Sequence, residues 1–208
     1  MRNAKNGLRL ICLSIIVSLM WAIISVIVPL VNNTSDFTKN MATITSGVSI
    51  GCGALELFGL FIAGRDNAYF RASAKLKVSA ILLVFVSFML SISKHLLAGN
   101  EFVVKILSIS LLSVSFVSLL IDVIVLNYIL KGCRQISPRV RKLSIFVELC
   151  FVVSIIAEGL TGILNIVAPT SKFLTALAII LLISLLVFSV FYVILIFRTT
   201  KNVRKPRK

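Results

Sequence analysis

Six apolar runs divide the chain, at residues 10–31, 41–63, 78–98, 106–130, 143–168 and 173–197, with short polar or basic segments between them. Each is as long as the roughly 20 residues that a helix needs to cross a hydrocarbon core of about 30 Å. A helix that is apolar on every side finds its solvent in lipid. The pattern predicts an all-α integral membrane protein, six transmembrane helices in one bundle, with residues 1–208 forming a single domain. The first run follows a basic tail with Arg2, Lys5 and Arg9, as a signal peptide would. It exceeds the usual apolar stretch of roughly 7–15 residues, and no small-residue cleavage site directly follows, so it reads as a retained span kinked or ended near Pro29.

Composition strengthens this class. Hydrophobic residues make up 59% and charged residues 14%, which leaves too little polar surface to cover a soluble core of this size. The net charge of +15 would suit a nucleic-acid surface if it were spread over a folded domain. Instead the Lys and Arg residues fall in the two tails and in the loops at 64–77 and 131–142, all but Lys39, Lys94, Lys105 and Lys172. Short loops rich in Lys and Arg stay in the cytoplasm. Both termini are therefore expected on the cytoplasmic side of the cell membrane, with anionic headgroups of the lipid bilayer as partners of the basic segments and no nucleic acid.

The basic residues also mark a spacing. Arg65, Lys131 and Arg198 close three spans at intervals of 66 and 67, while Arg9, Lys77 and Lys142 open three at intervals of 68 and 65. Two readings are open: three copies of one helical hairpin, or hairpins made equal by a bilayer of fixed thickness. Glu56 precedes Arg65 by nine residues and Asp122 precedes Lys131 by nine, with Ser189 at the third position.

Two motifs give a resemblance. The pattern L-x-x-x-G-L-x-x-A-x-R-D-x-x-Y-x-x-A over Leu55–Ala72, and Tyr-Ile-x-Lys-Gly over Tyr128–Gly132, resemble a loose group of small six-span membrane proteins of gut bacteria. That group carries no assigned activity, so the resemblance implies a fold and no chemistry. Gly47 and Gly51 form a GxxxG pair, a spacing that lets two helix backbones approach in lipid, and the reading takes it as a packing face. Asn32-Asn33-Thr34-Ser35 holds two overlapping glycosylation patterns of low weight, close to the membrane.

Candidate chemistry rests on charges inside the apolar runs, which cost roughly 2.5–3.5 kcal/mol each on insertion scales. Glu56 and Asp122 each lie about 13 Å inward from the basic loops at 1.5 Å per residue, which places them in one layer. Brought close, two carboxyl groups there would hold one proton between them and form a proton or cation site opening toward the basic side. Lys94 and Glu158 fall at similar depth on the far side and form a candidate ion pair. Glu148 lies near the interface, within reach of Lys142 or of headgroups. His95 is the single histidine, Cys12, Cys52, Cys133 and Cys150 form no CxxC pair, and there is no HExxH or P-loop pattern. Neither a metal, a cofactor nor catalysis is expected. Two function classes follow: a small transporter, channel or membrane-embedded binding subunit built on Glu56 and Asp122, or a non-catalytic scaffold that packs against a membrane-protein partner or a second copy.

Overall fold

The computed structural model describes residues 2–31, 35–97, 99–167 and 172–203; side-chain detail does not extend to residues 25–46, 91, 94, 95, 101, 162, 164–167, 172, 174, 175 and 178. The described chain is helical: α1 (Arg2–Val31), α2 (Ser35–Gly64), α3 (Ala68–Leu96), α4 (Glu101–Ile136), a 3₁₀ turn at Pro138–Val140, α5 (Arg141–Val167) and α6 (Lys172–Asn202). Six helices are long and apolar enough to cross a membrane. The glycosylation patterns overlap residues 32–34 and lie outside the described residues.

The helices overrun the apolar runs, most of all α3, which starts ten residues before the run at 78–98. A charged side chain marks where a helix can meet water, whereas the helix stops where its end groups find other partners. Asn67 caps α3 by accepting the Tyr69 N–H on Oδ1 at 2.8 Å, and Asn100 caps α4 by accepting from Val103 N–H at 3.3 Å. At the far end of α4 the Ser137 N–H donates to the Cys133 carbonyl at 2.9 Å, and Pro138 follows. The helix α1 ends at Val31, two residues beyond Pro29.

Each helix packs on its neighbours in sequence, and α6 returns to α1, so the six close into a ring. Packing is most extensive within the hairpins α1–α2, α3–α4 and α5–α6. The dense core lies at the basic end, where Leu8, Ile11, Leu60, Phe70, Ile129 and Leu195 are buried together. Close approach there depends on two glycines. A methyl group on Gly59 would lie 2.7 Å from the Gly7 carbonyl oxygen and 2.8 Å from the Ile11 side chain, so α1 and α2 touch backbone to backbone. Gly47 and Gly51 show no such contact among the described residues, where a methyl group on either meets nothing within 4 Å. The contact sits lower on α2, against a glycine that the basic tail of α1 hides from a search of apolar runs.

The two resemblance motifs meet in this core and explain themselves as packing. Asp66 accepts from Asn3 Nδ2 at 3.1 Å and from the Ala4 N–H at 3.0 Å, and so caps the first turn of α1 from another loop. Asn67 also donates to Gln135 Oε1 at 2.9 Å, and Arg71 Nε donates to the Gly64 carbonyl at 3.1 Å. Tyr69 packs on Tyr128 with ring centres 6.5 Å apart, and Gly132 leaves room for the Phe70 ring. The Ala4 N–H holds the Asp66 carboxyl below the ordinary aspartate value, with Asn3 adding to this against the opposing effect of burial. Because the folded value is depressed, the stabilisation is present above the ordinary value of about 3.9 and is lost as pH falls through the depressed one. Asp66→Ala should cost about 1 kcal/mol at pH 7, the usual worth of such a cap. Thermal unfolding of both proteins in lipid nanodiscs should show that gap closing below about pH 4.

Candidate functional site

The inner face of α3 runs through Phe70, Ser73, Ala74, Lys77 and Ala80, at helical spacings of three and four. Phe70, Ser73, Ala74 and Ala80 are buried, and Ser73 Oγ donates to the Val125 carbonyl of α4 at 2.9 Å. That bond orients α3 so that Lys77, one turn further on, also points inward. Its ammonium lies 3.0 Å from Glu56 Oε2 of α2 and 3.3 Å from Asp122 Oδ1 of α4. Side-chain exposures of 17%, 18% and 32% place the three in a partly dry environment, where pairing between charges is much stronger than in water.

Glu56 and Asp122 are thus brought together through a third residue. Sequence spacing groups Lys77 with the basic loop at 64–77; the structure turns it from α3 toward both carboxyl groups. The signal was available in the phase of Lys77 with Phe70, Ser73 and Ala74. Lys75, two residues away, is exposed.

The three residues stand at the floor of a cavity of about 510 Å³ to which all six helices contribute. On the basic side it is closed by Leu126, Ile129 and Tyr192, behind which lies the packed core. Beyond the cavity-lining positions toward the other end, Leu177 is the one buried hydrophobic among the described residues. The packed core lies between the site and the basic end, where Gly7, Gly59 and Gly132 let the helices approach closely.

Hydroxyl groups dominate the walls. Ser18, Ser49, Ser87, Ser115, Ser118 and Ser189 line the cavity without a hydrogen-bond partner among the described residues. Ser14 and Ser154 also line it, but are engaged by the Cys52 and Cys150 carbonyls at 2.7 and 2.9 Å. Aromatic rings form one flank, Phe151 and Phe188 at 4.8 Å and Phe188 stacked on Tyr192 at 5.3 Å. Tyr192 is 4% exposed and its hydroxyl has no hydrogen-bond partner.

Glu158 completes the set. It lines the same cavity as Glu56 and Asp122, so it belongs with the α2–α4 acids. Its suggested partner, Lys94, has a side chain outside the described detail. Glu148 does not reach Lys142; Arg134 donates to Glu148 Oε2 at 2.8 Å and, through Nε, to Ser144 Oγ. Arg134 was within reach all along, on the adjacent helix across the Pro138 turn. Among the described residues, no group of three or more His, Cys, Asp or Glu is placed to hold a metal ion. The four cysteines are free thiols. Comparison with protein-family models, curated proteins and solved structures finds no match.

Proposed function

We propose that the chain is a small membrane-embedded transporter or binding protein for a small organic cation, taken up in the central cavity. The observation that carries this reading is the make-up of the cavity wall: three carboxyl side chains, Glu56, Asp122 and Glu158, and one lysine, Lys77, among the described lining residues. An uncompensated negative site with poorly solvated walls attracts positive charge. The volume of about 510 Å³ lies in the range of small-molecule sites and far exceeds a bare ion. Aromatic faces and free hydroxyls suit the body of a protonated amine, the rings through cation–π attraction. Lys77 then acts as a resident ammonium that holds Glu56 and Asp122 until a soluble one displaces it.

In this reading the basic ends and both termini face the cytoplasm, by the charge of the short loops, and the cavity faces outward with the packed core as its inner seal. The hairpins are three copies of one unit. Equivalent positions support this: Cys52, Ser118 and Leu185 line the cavity at intervals of 66 and 67, and so do Glu56, Asp122 and Ser189.

The test is calorimetric titration of the purified chain in nanodiscs with primary amines of graded size, inorganic cations and matched carboxylic acids. One amine per chain should bind, with affinity reduced about tenfold or more by Glu158→Gln or Asp122→Asn, from roughly 1.5–3 kcal/mol per charged hydrogen bond. Binding of the acids in preference to the amines, or of none of the panel, would leave the scaffold as the better account. With the four native cysteines replaced by serine or alanine, a cysteine at position 118 should react with a water-soluble thiol reagent added from the side opposite the basic loops.

A further inference from the structure

We propose that the groove between α1 and α6 at the basic end seats one anionic phospholipid. On α1, Lys5, Arg9, Leu13 and Ile16 follow at spacings of four, four and three, which puts them in one stripe. On α6, Phe197, Thr200 and Lys201 form the matching stripe, and the two helices are in contact. Between them lies a groove of about 500 Å³ lined by these residues and Cys12.

Its polarity changes in one direction. Lys5, Arg9 and Lys201 gather at the helix ends, and Leu13, Ile16 and Phe197 line the part that would lie in hydrocarbon. From Lys5 to Ile16 the rise is about 16 Å at 1.5 Å per residue, enough to pass from a headgroup phosphate to the upper acyl chain. No carboxylate lines the groove among the described residues. None of the three cations forms an ion pair among the described residues, whereas Lys77 and Arg134 are each neutralised by an acid. The apolar part is open, with Leu13 49% and Phe197 63% exposed. Three unpaired cations above an open apolar slot match a negative headgroup and one chain, and charge-assisted bonds to phosphate would hold the head.

This inference is independent of the central cavity. Its test is native mass spectrometry of the full chain released from nanodiscs of phosphatidylcholine with a minor fraction of phosphatidylglycerol. One phosphatidylglycerol should be retained per chain, in preference to the more abundant phosphatidylcholine. A variant combining Lys5→Gln, Arg9→Gln and Lys201→Gln should bind it about a hundred-fold more weakly, taking roughly 1 kcal/mol per Lys or Arg near the surface and 1.4 kcal/mol per tenfold. A second variant, Lys75→Gln with Arg139→Gln and Lys142→Gln, removes equal charge from exposed positions elsewhere and should retain the lipid. Leu13→Trp, at an exposed position that folding does not need, should fill the slot and displace it. Equal loss in both triple variants would overturn the proposal, as would retention in the first. Inorganic phosphate competing as well as the lipid would also overturn it, because the acyl seat would then contribute nothing.

Discussion

Lys77→Met should lower the stability of the folded chain by about 3 kcal/mol, the lower end of the cost of breaking a buried ion pair. The lower end applies because the cavity hydrates Asp122 in part. Methionine keeps the length and apolar stem of lysine, so little packing is lost. What is lost is the one cation within reach of two carboxylates, at 3.0 and 3.3 Å. Adding Glu56→Gln and Asp122→Asn to Lys77→Met should recover most of the loss, since three neutral groups of the same shape leave no unpaired charge. Equilibrium unfolding of the four combinations in nanodiscs measures this, and the coupling shows as non-additivity. A second readout separates structure from binding. Where Lys77 is the resident ammonium, its removal vacates the carboxylates, so a primary amine should bind Lys77→Met more tightly than wild type and raise its melting temperature further. Lower amine affinity in that variant would mean that Lys77 serves the site and does not compete for it.

Gly59→Val is expected to be at least as damaging, with a loss above 3 kcal/mol or failure to assemble. Overpacking commonly costs 1–3 kcal/mol where side chains can yield. Here the nearest atom is the backbone oxygen of Gly7, 2.7 Å from the first added carbon, and it cannot move without α1. Displacing α1 would open the core around Leu8, Ile11 and Leu60 and break the Asp66 cap on its first turn. Gly51→Val is the matched control. It lies on the same helix, two turns away, with nothing within 4 Å of the added carbon, and should change stability by less than about 0.5 kcal/mol. Folded yield after reconstitution and the unfolding midpoint distinguish the two. Equal effects would show that α1 and α2 do not meet at Gly7 and Gly59.

Much of this site was legible in fragments. Glu56 and Asp122 stand out because an acid inside an apolar run is costly, and equal distances from the basic loops place them at one depth. Lys77 did not stand out, because it sits at the border of its run, where a lysine is ordinary. Only its phase with Phe70, Ser73 and Ala74 separates it from Lys75. The cap at Asp66 and the pairing of Arg134 with Glu148 were hidden for a related reason: their partners come from other segments, and charge spacing along one chain does not report who lies opposite.

By itself the sequence determined that the chain forms six long apolar helices, since length and hydropathy are local sums that no packing arrangement can reverse. It determined too that the charges collect at one end. Tertiary structure alone decided that the helices close into a ring, that the tight contact is Gly7 on Gly59 and not Gly47 with Gly51, and that the cavity is sealed on the basic side. Those outcomes depend on which faces meet. In six helices that are apolar nearly all round, hydrophobic patterning hardly distinguishes one face from another, so small residues, caps and a single lysine make the choice.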